Sequence, residues 1–206
     1  ATCTVTVNNV APTVTATADK TVNEGQTLSI TDIATFTDPG FDNPANPGGA
    51  TVETFSYTID WGDGTPPVIG TPTIDRAGSR GVPTSGSLDG THVYADNGTY
   101  TVTVTVTDDD SGSHADTFLV TVNNVAPTLT VVGNQNVNEG ATLSLTNIGT
   151  FTDPGFDNAL NVGGEVEETF TYTIDWGDGT ADSTGSATID QMGSAGVLTQ
   201  GSFDGT

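Results

Sequence analysis

The chain has 206 residues, with 26 Asp plus Glu against three Lys plus Arg and a net charge of −23. Nothing in that balance could neutralise phosphates, so nucleic acid and anionic membrane surfaces are expected to be poor partners. No apolar run approaches the ~20 residues of a membrane span, and no signal peptide is present, so the chain reads as a segment cut from something longer. A disordered acidic chain is a poor fit as well, because aromatic and β-branched residues recur at regular spacing.

Residues 1–9 read as the last strand of a preceding unit. Cys3 is the only cysteine, so there is no disulfide framework. It shares a face with Val5 and Val7 and is expected as a small buried hydrophobe. Residues 7–12, Val-Asn-Asn-Val-Ala-Pro, return as residues 122–127, an offset of 115 residues. The offset then holds without a gap. Asn23-Glu24-Gly25 returns as Asn138-Glu139-Gly140, residues 36–43 as 151–158, residues 60–65 as 175–180, and Asp89-Gly90-Thr91 as Asp204-Gly205-Thr206. This is a tandem array, and the six-residue stretch is its joint. The expected division is residues 1–9 from a preceding repeat, a complete repeat over 10–122, and a second repeat over 123–206. The second stops before its sixth and seventh strands, so the native chain is expected to continue past Thr206, or a neighbouring copy to supply a strand.

Within the complete repeat, residues 13–18 alternate Thr outward with Val14, Ala16 and Ala18 inward, the period of a strand. Asn23-Glu24-Gly25 is a turn, and residues 27–36 form the second strand, with a parity change between Ile30 and Ile33 that implies a bulge or bend. Asp38-Pro39-Gly40 opens a polar loop through Asn43, Pro44, Asn46, Pro47, Gly48 and Gly49. Strand three places Phe55, Tyr57, Ile59 and Trp61 on one face and stops at Gly62-Asp63-Gly64. Residues 73–75 are a short strand, residues 76–86 a loop, and residues 86–94 an edge strand. After the turn Ala95-Asp96-Asn97-Gly98, Tyr100, Val102, Val104 and Val106 point inward from the sixth strand. Asp108-Asp109-Asp110-Ser111-Gly112 turns the chain into the closing strand, 117–123. No segment carries a helical period. About seven strands with one wet and one dry face make an antiparallel sandwich, so the fold class is all-β, in tandem immunoglobulin-like sandwiches arrayed end to end.

The segments Asp38-Pro39-Gly40, Trp61-Gly62-Asp63-Gly64 and Tyr94-Ala95-Asp96-Asn97-Gly98-Thr99-Tyr100-Thr101-Val102, followed by Thr107-Asp108, resemble the PKD domain, an immunoglobulin-like module. The likeness covers residues 12–122; the longer connection over 66–91 departs from the family pattern. The resemblance implies an extracellular or cell-surface setting, a tandem arrangement, and a role in spacing, adhesion or cohesion rather than catalysis. It also implies calcium, which some relatives bind.

Sandwich topology sorts the acids into two ends. Asp38, Asp42, Asp108, Asp109 and Asp110 gather near the incoming linker. Glu24, Asp63 and Asp96, with Glu139 as the second repeat's counterpart of Glu24, lie at the other end. Stacking two repeats sets Glu24, Asp63 and Asp96 against Asp153 and Asp157, with Asn123 and Asn124 between them. Six to eight oxygens from carboxylates, amides and carbonyls are what calcium requires. Asp and Asn also suit turns without any metal. Residues 108–112 do not make an EF-hand, because the glycine is misplaced and no Glu stands at the twelfth position.

Enzyme readings find little support. The two histidines, His92 and His114, lie in or beside strands, and no G-x-S-x-G, H-E-x-x-H or phosphate loop occurs. Asp60 and Asp63 recur with a glycine turn, which points to structure. Tyr100 and Trp61 are expected in the core. The outward threonines offer possible O-linked glycan sites, and high β-propensity explains them equally well. The sequence therefore reads as a calcium-stiffened spacer or fibre module whose partners are neighbouring repeats or copies of itself. The alternatives are an adhesive or polysaccharide-binding module and, third, an accessory domain of a secreted enzyme.

Overall fold

The structure, a computed structural model, describes residues 2–46, 51–161 and 164–206. Pro47, Gly48 and Gly49 of the expected polar loop, and residue 1 of the expected leading strand, lie outside the described residues. Among the described residues all regular elements are strands. Nine build the first repeat: β1 (Thr13–Ala16), β2 (Lys20–Asn23), β3 (Thr27–Asp38), β4 (Phe55–Asp60), β5 (Val68–Gly70), β6 (Thr73–Arg76), β7 (Thr84–Val93), β8 (Gly98–Asp108) and β9 (Ser113–Asn123). They form two sheets, with strand orders β1-β3-β7-β6 and β2-β9-β8-β4-β5.

Period-2 patterning explains why these sheets face each other. Val14, Ile33 and Phe36 from one sheet and Ile59, Val102, Val104, Val106 and Val120 from the other are all buried. The rings of Phe36 and Phe55 meet with centroids 4.7 Å apart. Tyr100 and Trp61 belong to this core, as expected. Antiparallel register sets Ile59 opposite Val104 and Val14 opposite Phe36. The parity change in β3 is a single left-handed residue, Asp32 (φ 52°), whose N–H donates to Asp89 Oδ1 at 2.9 Å. Asp tolerates that conformation better than most residues, and it turns Ile30 and Ile33 toward the same core.

One expectation needs correction: β7 is not an edge strand, because β6 pairs along its outer side, with Thr73 opposite Ser87 and Ile74 opposite Gly86. Two strands were not anticipated, β2, which pairs with β9, and β5, which pairs with β4 at the sheet's other edge. Residues 2–9, expected as a strand of a preceding repeat, pair with no sheet among the described residues, and there Val5 and Val7 are 77% and 89% exposed and Cys3 is exposed. A strand requires a ladder partner, and the expected one belongs to another repeat.

Among the described residues six strands build the second repeat: β10 (Thr128–Val131), β11 (Leu145–Asp153), β12 (Thr171–Ile174), β13 (Ser183–Ser186), β14 (Thr188–Gln191) and β15 (Thr199–Gly205). Their sheets are β10-β11-β15-β14 and β12-β13. Leu129 stands opposite Phe151 as Val14 stands opposite Phe36. Phe170, Ile174 and Trp176 are half-buried where Phe55, Ile59 and Trp61 are buried.

The chain divides into two compact units that do not follow the repeat boundary. The first holds the stretch up to Lys20, Leu28–His92 and Thr99–Val120. The second holds Thr21–Thr27, Val93–Gly98 and Thr121–Thr206. Two turns of the first repeat therefore belong to the second unit. That assignment positions the site described next.

One glycine ends β4. Gly62 has φ 79°, and a Cβ there would collide with the carbonyl oxygen of Thr101. Gly62→Ala is expected to cost about 2 kcal/mol, from an unfavourable φ and the displaced strand together. Chemical denaturation checks this; an unchanged midpoint would show that the turn relaxes freely.

Candidate metal centre

Glu24 sits in the turn that follows β2. Its own N–H donates to the Asn123 carbonyl at 3.0 Å, and the N–H of Gly25 donates to the Tyr94 carbonyl at 2.9 Å. Gly25 has φ 68°, and a Cβ there would collide with the carbonyl oxygen of Pro154. Only glycine lets the backbone come this close. The Glu24 side chain is 2% exposed. Its Oε1 accepts the N–H of Val125 at 2.6 Å, while Oε2 is buried without a hydrogen-bond partner.

Asp96 is presented by the turn between β7 and β8. It is buried, and its Oδ1 accepts the N–H of Asn97 at 2.6 Å. The neighbouring Ala95 carbonyl accepts the N–H of Phe156 at 3.0 Å. Glu168 precedes β12, with its N–H held by Asp157 Oδ1 at 2.8 Å. Glu24, Asp96 and Glu168 each offer a carboxylate oxygen, and these three atoms lie within 4.8 Å of one another. All three residues belong to the second compact unit. Asp153, also buried in that unit, receives the N–H of Gly155 on Oδ1 at 2.8 Å.

The electrostatics are those of crowded anions. Burial, then the charges of Asp96, Glu24 and Asp153, pushes the Glu168 carboxyl up to about 7. Burial raises Glu24 too, opposed by its hydrogen bond from Val125 and reinforced by the charges of Asp153 and Asp96. Asp153 is raised by burial. An isolated buried carboxylate is unfavourable unless it is neutralised by a proton or a cation. The cluster could therefore bind a metal ion. Its donors are all hard oxygens, the set that suits calcium, magnesium or manganese rather than zinc or copper.

A second acidic group lies in the first compact unit. Asp38 is 1% exposed; its Oδ1 accepts the N–H of Gly40 at 2.6 Å, and its Oδ2 is buried without a hydrogen-bond partner. Burial, then the charges of Asp109 and Asp38, pushes Glu53 up to about 7. Asp108 is buried and receives Asn9 Nδ2 at 2.9 Å and the N–H of Gly112 at 2.7 Å. Asp109 receives the N–H of Thr54 at 3.4 Å.

The remaining expected ligands are placed differently. Asp63 is taken by Thr65 and by His92, whose Nε2 stands 2.8 Å from Asp63 Oδ2. Those partners hold its carboxyl below the usual carboxylate range against the opposing effect of burial. Asp42 and Asp157 accept the N–H groups of Glu53 and Glu168, eleven residues further along, and so brace the loops that lead into β4 and β12. Asn123 contributes its carbonyl to Glu24 and its side-chain amide to Asn23, rather than to the cluster. Asp110, Asn124 and Glu139 are not buried in either group. Glu168 and Glu53 were not expected. The signal was available: Glu53-Thr54-Phe55 recurs as Glu168-Thr169-Phe170 at the same offset.

The family described as PKD domain matches residues 9–122, more than half of the chain. Among solved structures, the PKD domain of an M14-like peptidase from Thermoplasmatales archaeon SCGC AB-540-F20 is 25% identical. The match covers 54% of this chain and 92% of that one, with a TM-score of 0.32. No curated protein matches the chain.

Proposed function

Since the chain belongs to the PKD domain family, we propose that it is a non-catalytic extracellular repeat module. In this reading it serves as a spacer or fibre element, and calcium stiffens the joint between its repeats. The observation that carries the reading is Glu24. Its carboxylate ties Val125 of the joint through one oxygen and leaves the other buried and unpartnered among Asp96 and Glu168. A cation bound there joins side chains from two consecutive repeats, so that ion binding and linker order become one equilibrium. The family supports an extracellular or cell-surface setting, where free calcium is abundant enough for weak sites of this kind. Partners are other repeats of the same array or of a fibre.

The polysaccharide-binding alternative needs exposed aromatics, and its first candidate, Trp61, is buried. Calorimetric titration of the chain with calcium tests the proposal. Binding is expected, and Glu24→Gln should weaken it at least tenfold, because one charged oxygen donor is replaced by a neutral amide. Equal calcium affinity in the variant, or no heat in either protein, would refute the assignment.

A further inference from the structure

The first repeat carries a second copy of the surface on which the Glu24 and Asp96 turns rest. Residues 36–43 and 151–158 are identical. Their local construction is identical too. Gly40 donates to Asp38 at 2.6 Å and Gly155 to Asp153 at 2.8 Å. Thr84 donates its hydroxyl to the Gly40 carbonyl at 2.7 Å, and Thr199 does so to Gly155 at 2.6 Å. Asp42 and Asp157 hold the N–H groups of Glu53 and Glu168, each at 2.8 Å.

The two copies differ in their cover. Within the second compact unit, Phe156 donates to the Ala95 carbonyl, Gly25 presses on Pro154, and the carboxylates of Glu24 and Asp96 approach Glu168. Pro154, Gly155 and Phe156 are correspondingly half-buried, buried and half-buried. In the first compact unit the same positions, Pro39 and Phe41, are exposed, Phe41 by 37%. Beneath them Asp38 Oδ2 is buried and has no hydrogen-bond partner.

We propose that Asp38, Pro39, Phe41 and Glu53 form a docking surface for the tip of another repeat of this kind, and that a hard divalent cation is required to hold it. The fitting tip presents an Asn-Glu-Gly turn beside an Ala-Asp-Asn turn, as residues 23–25 and 95–97 do for the second repeat. Its carbonyl takes the N–H of Phe41, and its Glu and Asp face Asp38 and Glu53. The cation requirement follows from charge. Two incoming carboxylates would meet Asp38 and Glu53, with Asp108 and Asp109 close enough to act on both. Like charges at such separations oppose docking unless a cation lies between them. The inference rests on the reading of the Glu24 cluster as a calcium site.

The test places residues 1–115 directly before residue 1, which preserves the period and leaves the whole chain in place. With calcium, amide exchange at Phe41 and Asp42 should slow at least tenfold relative to the original chain. Calorimetry should count one additional calcium per chain, and Glu53→Gln should remove that site alone. Phe41 exchanging equally fast in both chains, or an unchanged calcium count, would overturn the proposal. Protection of Phe41 that survives a chelator would overturn the cation requirement. Absence of calcium binding in the original chain is a separate outcome that would remove the parent reading instead.

Discussion

Trp61→Ala is expected to destabilise the first repeat by about 3–5 kcal/mol, the usual range for removing a buried aromatic ring. The indole is 1% exposed at the end of β4. It stacks on His92 with ring centroids 4.8 Å apart and an interplanar angle of 7°. Gly90 leaves room for it, since a Cβ there would stand 3.0 Å from the ring. Deleting the ring also frees the His92 imidazole, which carries the Asp63 bond. The second repeat supplies a control. Trp176 occupies the matching position but is only half-buried. Trp176→Ala should therefore cost clearly less, about 1–2 kcal/mol for a partly covered apolar side chain. Denaturation followed by hydrogen exchange in each repeat separates the two. Equal losses would mean that burial does not set the cost. Unchanged stability with lost retention on polysaccharide would instead favour the binding alternative.

The contrast between these tryptophans shows what the sequence could reveal. Alternation along residues 55–61 and 100–106 identified the two strands and their inward faces, because a sheet with one covered face imposes a period of two. The turns were legible through glycine at positive φ, as at Gly25 and Gly62. The first repeat's β2 and β5 were not legible: they are only 4 and 3 residues long, too short for a period to emerge. Cys3 is exposed in this chain; its alternation describes a strand, but burial depends on a partner sheet that local pattern cannot supply. Glu24, Asp96 and Asp153 were legible because the 115-residue offset and sandwich topology place the loops. Glu168 lies in an irregular segment before β12, where neither strand alternation nor turn chemistry marks it, and only the recurrence of Glu53-Thr54-Phe55 at the 115-residue offset singles it out. The engagement of Asp63 by His92 was not legible, because it links residues 29 apart in sequence and exists only once β4 and β7 are folded.

In a chelator, stability should fall as pH rises from about 4.5 to about 7, and calcium should reverse that trend. The sign follows from proton binding. Glu168 and Glu53 have carboxyls raised from 4.5 to about 7, and burial raises Glu24, Asp38 and Asp153 as well. A group with a raised carboxyl pKa binds more protons folded than unfolded throughout the interval between its two values, so its contribution to stability declines as pH climbs through that interval. Asp63 acts in the opposite sense. Its lowered value contributes stability above about 3.8 that is lost as the solution becomes more acidic. The metal-free protein should accordingly be most stable near pH 4 to 5 and weaker at pH 8. Calcium binds the ionised carboxylates and competes with the same protons. At a hundredfold excess over Kd it should add about 2.7 kcal/mol, and that gain should be largest at pH 8 and vanish near pH 4. Melting curves at pH 4, 5, 6, 7 and 8, with calcium and with chelator, resolve all of this. Stability that rises steadily from pH 5 to 8 without calcium would mean that these buried carboxylates are already neutralised by something other than protons, and the cation reading would fail with it.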